Sequence, residues 1–421
     1  SIWDTFSHTP GKTRNGDTGD TACDAYHRYP EDIALMQQLG LRAYRFSISW
    51  PRVLPTGAGA VNQVGLDYYS RLVDALLEAG ITPFATLFHW DLPQSLEDKF
   101  GGFRHRDCAA YFADYAETVV KRLGDRVQHW ITFNEPWVHA MLGYGLGIHA
   151  PGKRNPWAVA RVSHHQLLAH GMAVERLRAL SPGAQVGITL SMSPIHPRTD
   201  SEKDRQAARL THQFTAGFFL DGLFKGRYPE PLWGKMRLFR PKIESGDMAK
   251  IARPIDFLGI NNYSRDVVHY DWRVPFLKAK SQFSGVPERE FEKDGAQYTA
   301  MGWEVYPPGI YELLMMMKNE YNNPPVYITE NGAAFSDTVE NGRVHDTLRQ
   351  TFFEQYLAQV SRAAAEGANV KGYFAWSLLD NFEWAEGYSK RFGIIYVDYA
   401  SQKRIIKDSG LWYARRANGH H

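Results

Sequence analysis

Two glutamates occupy equivalent places in this chain. Glu135 closes the apolar run Val127-Gln128-His129-Trp130-Ile131-Thr132-Phe133-Asn134, and Glu330 closes Pro325-Val326-Tyr327-Ile328-Thr329. Pro136 follows the first and Asn331-Gly332 the second, so each strand-like run ends where its carboxylate stands. A charged side chain at the C-terminal rim of a parallel strand faces the region where barrel enzymes build their sites. Two carboxylates gathered there could act as a proton donor and as a nucleophile or base, the pair that glycosidic-bond cleavage needs. A strand-end glutamate can equally be a solvated residue or a loop cap. The surrounding elements have to decide.

Strand-like runs at 41–50, 81–90, 127–134, 185–193, 255–263, 325–330 and 370–377 alternate with stretches of helical spacing. That alternation is the pattern of a parallel α/β sheet. Ile81-Thr82-Pro83-Phe84-Ala85-Thr86-Leu87-Phe88 is almost continuously apolar, as expected of a strand covered on both faces. Leu66, Tyr69, Leu72, Val73, Leu76 and Leu77 share one helix face, and Gly80 ends that helix. Further helices are predicted near 31–39, 106–123, 157–180, 201–222, 309–321 and 346–366. With no internal repeat or low-complexity linker, residues 1–418 read as a single domain, and Gly419-His420-His421 as a tag remnant. Residues 265–305 carry no strong period and include the charged run Glu288-Arg289-Glu290-Phe291-Glu292-Lys293-Asp294. A loop of that length is either a lid at the mouth of the site or unstructured.

Composition narrows the class. A net charge of +2 from 48 basic and 46 acidic residues leaves no electrostatic footprint for nucleic acid or an anionic membrane. No apolar run is long enough to span a bilayer. The two cysteines, Cys23 and Cys108, lie in no metal-ligand spacing and point to a reducing, cytoplasmic compartment. His164, His165 and His170 cluster on one predicted helix, away from the strand ends, so no metal is expected of them. Neither a GxGxxG nor a GxxxxGK[ST] loop occurs. Aromatic residues make up 14% of the chain, and their flat faces suit the apolar C–H faces of sugars.

Thr132-Phe133-Asn134-Glu135-Pro136 and Ile328-Thr329-Glu330-Asn331-Gly332 resemble the two signatures of glycoside hydrolase family 1 β-glucosidases, in their bacterial form. The resemblance continues through Tyr44-Arg45-Phe46-Ser47-Ile48-Ser49-Trp50, His89-Trp90-Asp91-Leu92-Pro93, Gly259-Ile260-Asn261 and Asn381-Phe382-Glu383-Trp384. It implies an α/β fold, a single (β/α)8 TIM barrel with long βα loops, and a retaining β-glycosidase without metal or cofactor. By the same resemblance Glu135 is the acid/base and Glu330 the nucleophile. Arg45 and Tyr263 support the nucleophile, while His89, Trp90, Asn134, Trp376, Glu383 and Trp384 hold the sugar. Glu383-Trp384 matches the pair that binds the 4- and 6-hydroxyls of unphosphorylated sugars, so a small β-glucoside or oligosaccharide is the expected partner. Asn262 stands where the family usually has tyrosine, and is expected to affect the strand rim rather than the chemistry.

Seven strands leave an eight-stranded barrel one short. The family's first strand, with a glutamine for the 3- and 4-hydroxyls, precedes the stretch resembling Ser1-Ile2-Trp3-Asp4-Thr5-Phe6. Residues ahead of Ser1 could supply it, the chain could be trimmed, or another segment could fill the gap; the first is the expectation. Strands 41–50 and 370–377 would flank the opening. The rival reading is a sugar-binding barrel whose catalysis is impaired by that lack. Oligomeric state is open.

Overall fold

The computed structural model describes residues 1–281 and 297–419. Its strands are β1 (Ala43–Ser47), β2 (Thr82–Phe88), β3 (His129–Asn134), β4 (Gln185–Ser191), β5 (Ile195–Pro197) and β6 (Phe257–Asn261). They continue with β7 (Asp266–Tyr270), β8 (Ala279–Ser281), β9 (Val326–Asn331), β10 (Val370–Ala375), β11 (Ile395–Val397) and β12 (Arg404–Ile406). Seven of them pair in parallel in the order β1-β2-β3-β4-β6-β9-β10, with all seven expected strands present. Helices connect them, including Gln63–Glu78, Cys108–Leu123, Val159–Leu180, Pro308–Glu320 and Thr347–Ala365. The first of these buries Leu66, Tyr69, Leu72, Val73 and Leu76, and Gly80 follows it at φ +72°, a conformation that costs glycine least. Leu77 departs from the expected face and is 41% exposed.

Phe84, Phe257, Tyr327 and Phe374, one from each of four strands, pack edge to face inside the sheet and fill its lower end. A layer of interior side chains of this kind makes the barrel a packed core and leaves the upper rim for chemistry. Among the described residues β1 and β10 have no second neighbour, so the barrel is open between them. A cavity of about 950 Å³ lies along that opening, lined by Tyr44, Phe46, Gly372 and Phe374 among others.

Three features depart from the sequence reading. The stretch 265–305 is not uniformly loop: β7 pairs with β5 and with β8, and Tyr298 bridges to Glu304. Such short strands, paired with residues distant in sequence, leave no local period. The charged run 288–294 lies outside the described residues. The helix expected at 201–222 is three pieces, Glu202–His212, a wide turn over Gln213–Gly217, and Phe218–Lys225. Finally, a two-stranded ribbon of β11 and β12 and the helix Asp408–Ala417 close the chain, and neither was anticipated.

Candidate active site

The rim of the sheet brings the predicted residues together. Arg45 rises from β1, where a guanidinium inside an apolar strand is costly unless paired. It is paired twice: Nη1 donates to Glu330 Oε1 at 2.6 Å and Nη2 to Asn134 Oδ1 at 2.6 Å. The side chains of Arg45 and Glu330 are 6% and 4% exposed, so this ion pair works in a poorly screened interior. Tyr263, just past β6, donates its hydroxyl to Glu330 Oε2 at 2.5 Å. Burial, and then the charges of Glu330 and Glu135, hold the Tyr263 phenol well above its ordinary value, so it stays a donor. Both oxygens of Glu330 are thus held by groups that favour the carboxylate.

Glu135 has the opposite surroundings. It is buried, and Asn261 Nδ2 donates to its Oε1 at 2.8 Å. Burial raises the Glu135 carboxyl well above the usual carboxylate range, and the charge of Glu330 raises it further; Asn261 and Arg45 partly offset both. The two glutamates therefore differ in surroundings: a cation and a hydroxyl donor hold Glu330, while Glu135 is raised.

Asn134 ties the site to the strand ends. Its Oδ1 accepts from Arg45 and from Asn261 (3.1 Å), and its Nδ2 lies 2.9 Å from His89 Nε2. With the amide nitrogen donating, His89 carries its proton on Nδ1; burial and the Arg45 charge push its pKa well down, keeping it neutral. Trp90 spends its indole N–H on the Asn134 carbonyl at 2.9 Å, so it offers the site a ring and not a donor. That ring packs against Trp384, centroids 4.9 Å apart, and His89 lies 5.9 Å from the ring of Trp376, which follows β10 directly. Burial raises Glu383 to about 8, with the charges of Glu330 and Glu386 adding to it. A cavity of about 700 Å³ opens beside these rings, lined by His89, Trp376, Glu383's neighbours Phe382 and Trp384, and Asp91. The larger opening between β1 and β10 is lined by Arg45, His89 and Trp376 but by neither catalytic candidate.

The signature residues around the glutamates have local jobs. Glu135 sits at φ +47°, with Trp90 at φ +75° and Trp384 at φ +50°, all in the left-handed region that side chains seldom adopt. Pro136 then starts a short helix at a position where its missing N–H costs nothing. Asn331 donates to the Asn262 carbonyl and accepts from the Tyr373 hydroxyl, each at 2.6 Å, joining β6, β9 and β10. Gly332 is fixed by space: a Cβ there would stand 1.8 Å from the Trp376 carbonyl oxygen.

A family model described as Glycosyl hydrolase family 1 matches residues 1–420. The chain belongs to that family. β-Glucosidase A of Thermotoga maritima is 51% identical over 416 residues, covering 98% of this chain and 91% of that protein. A bifunctional β-D-glucosidase/β-D-fucosidase of Bifidobacterium breve is 45% identical over 434 residues, covering 99% and 92%. Among solved structures, the family 1 β-glucosidase from Thermotoga maritima superposes with a TM-score of 0.95 at 50% identity, covering 100% of this chain and 92% of that one. The same enzyme complexed with a cyclophellitol analogue transition state mimic also gives 0.95.

For a family 1 member, the residue that sequence reasoning underrated is Asn261. It is legible in the Gly259-Ile260-Asn261 match, yet only the structure shows it reaching both Glu135 and Asn134. Gly259 clears the way, since a Cβ there would meet Thr189 Oγ1 at 2.1 Å. Asn262 donates to the carbonyls of Met192 (2.8 Å) and Ser264 (3.0 Å), a rim cross-link. The three histidines of the helix Val159–Leu180 have separate partners. His164 bonds Tyr228 and Asp247, His165 the Phe103 carbonyl, and His170 the Thr132 hydroxyl.

Proposed function

We propose that this protein is a retaining β-glucosidase in which Glu330 is the nucleophile and Glu135 the acid/base. One observation carries the reading: two buried carboxyls on one rim, Glu330 held by Arg45 and Tyr263 as the anion, and Glu135 raised as the acid. In the first step Glu135 gives its proton to the glycosidic oxygen as the C1–O bond breaks, and Glu330 attacks C1 from the opposite face. A neutral glycosyl ester and an ionised Glu135 result. Water then attacks C1 while Glu135 takes its proton, and Glu330 leaves with its charge restored.

Trp376, Trp90 and Trp384 supply the ring faces that receive the sugar, His89 and Asn134 the hydroxyl contacts, and Glu383 the 4- and 6-hydroxyls. With Glu383 near 8, it meets those hydroxyls at neutral pH mainly as the acid, able to donate as well as accept. A 6-phosphate would bring about two negative charges into the field of Glu330, so unphosphorylated β-D-glucosides, with β-D-galactosides and β-D-fucosides behind them, are the proposed substrates. Residues 1–418 form one catalytic barrel in this reading, supported by a main apolar cluster running from Ile2 to Trp412. Two buried free thiols, Cys23 and Cys108, support a cytoplasmic setting. No helix among the described residues is long and apolar enough to cross a membrane. The rival reading, a barrel that binds sugar without turnover, has the assembled ring of Arg45, Asn134, Asn261, Glu135 and Glu330 against it.

Proton NMR during hydrolysis of an aryl β-glucoside tests the proposal. The first-formed sugar is expected to be the β-anomer. An α-anomer would mean inversion, and no sugar release at all would favour the binding barrel.

A further inference from the structure

We propose that Lys407 is a positioning residue that fixes Glu383 at the sugar's 6-hydroxyl, through a buried charge clamp shared by two loops of the site. The ammonium of Lys407 is fully buried and bonds Asp337 at 2.5 Å and Asp380 at 2.7 Å. Asp337 belongs to the loop that leaves β9 just after Glu330, and Asp380 to the loop that leaves β10 and carries Glu383 and Trp384. Two further cations complete the clamp. Arg349 reaches Asp337 and the Arg391 carbonyl, each within 3.1 Å, and Arg391 bonds the other oxygen of Asp380 at 2.6 Å.

The geometry shows what the clamp holds. Asp380 Oδ1 also accepts from the Gly393 amide at 2.9 Å, and the Lys407 amide donates to the Ile394 carbonyl at 3.0 Å. Across the same base the Ile394 amide donates to the Ser377 carbonyl at 2.8 Å, and the Ser377 amide donates to the Phe392 carbonyl at 3.1 Å. Both legs of the 377–394 loop are therefore pinned at the level of Lys407, and the segment from Asn381 to Lys390 projects beyond it, where Tyr388 ties it to Asp17 and Thr18. Glu383 sits on that projection, its amide bonded to the Gly387 carbonyl. An apolar core would hold such a base as stably, because desolvation takes back most of what buried charges gain. What fixed ionic partners add is position, and small misplacements of a contacting group cost far more rate than stability.

The inference rests on Glu383 binding the 6-hydroxyl, so the test separates the two ideas. kcat/KM is measured for an aryl β-glucoside and for its 6-deoxy analogue in the parent, Glu383→Ala, Lys407→Met and the double variant, with melting curves for each. Glu383→Ala should lower the glucoside-to-6-deoxy ratio by about 3- to 10-fold, one hydrogen bond's worth. Lys407→Met should lower the same ratio by about threefold or more, and should lower it no further in the Glu383→Ala background. If Glu383→Ala leaves the ratio unchanged, the Glu383 assignment falls and the clamp's purpose with it. If Glu383→Ala moves the ratio and Lys407→Met lowers both substrates equally, Lys407 is merely structural and the inference is overturned. Should Lys407→Met fail to fold, Asp380→Asn keeps the shape and the Gly393 bond and is judged by the same ratio.

Discussion

Replacing Asn261 by leucine should move the alkaline limb of the pH–rate profile upward. Asn261 Nδ2 donates to Glu135 Oε1 at 2.8 Å in a fully buried setting, a bond that favours the ionised form of Glu135 and so lowers its pKa. Removing it leaves burial and the Glu330 charge unopposed on that side, so the carboxyl holds its proton to higher pH. A hydrogen bond to a charged group contributes about 1.5–3 kcal/mol, equivalent to about 1–2 pKa units. The same amide also serves Asn134 Oδ1 at 3.1 Å, so the lower end, about one unit, is expected. Leucine matches asparagine in length and keeps water from replacing the lost donor. kcat/KM against pH on an aryl β-glucoside reads the free enzyme's acid and base, as properties of the coupled pair. The contacts of Glu330 with Arg45 and Tyr263 are untouched by the substitution. Asn261 Oδ1 also accepts from Thr329 Oγ1 at 2.6 Å, so Thr329→Val, which removes that bond and the one Thr329 Oγ1 accepts from Thr189 while keeping the side-chain bonds of both glutamates, is the control and should leave the alkaline limb in place. An alkaline limb that stays put or moves down in Asn261→Leu would refute the assignment of Glu135 as the acid.

Glu330→Gln should lower kcat by about 10,000-fold or more with the melting curve retained, and a 2-fluoroglucoside should label Glu330 in the parent; a label elsewhere removes it as the nucleophile. Glu135→Ala should slow glycosylation far more for poor leaving groups than for activated aryl glucosides, with azide restoring the second step. Equal losses without azide rescue would make Glu135 structural. Glu383→Gln should melt higher than the parent at alkaline pH and equally at acid pH. A carboxyl raised from about 4.3 unfolded to about 8 folded binds its proton more tightly when folded. Stability is therefore lost as pH rises between those values. A pH-independent difference in melting temperature would show that Glu383 is not raised.

The strands were legible because β2, β3, β4, β6 and β9 are largely buried apolar runs, with β1 and β10 half-buried at the open edge, and seven parallel strands allow few arrangements. The two glutamates were legible because a charge ending such a run has one direction to face. Arg45 was readable for a related reason: a guanidinium within Tyr44–Ile48 demands an anion. The pairing of β5 with β7, the projecting loop carrying Glu383, and Lys407 were not legible. Their stabilising partners are distant in sequence, 27 residues between Lys407 and Asp380 and 70 between Lys407 and Asp337. Polar residues in loops carry no period to announce such contacts. The left-handed backbone at Trp90, Glu135 and Trp384 was equally silent, since none of the three is a residue type that favours it.

That backbone geometry and the polar ring have a common logic. A strand alternates its side chains, so a residue one step beyond its end would normally point away from its predecessor. Asn134 is needed inside, on Arg45 and His89, yet Glu135 directly after it is needed at the same site. The turn at φ +47° lets both neighbours serve one place, and the bond from the Glu135 amide to the Thr189 carbonyl at 2.9 Å anchors it. Asn134 and Asn261 then bridge Arg45 to Glu135, so the cation that stabilises the nucleophile also bears on the acid. When Glu330 becomes an ester, the second-largest cause of the raised Glu135 pKa disappears, while Arg45 and Asn261 still favour its anion. The acid of the first step is thereby turned into the base of the second by the chemistry itself, without any movement of the chain.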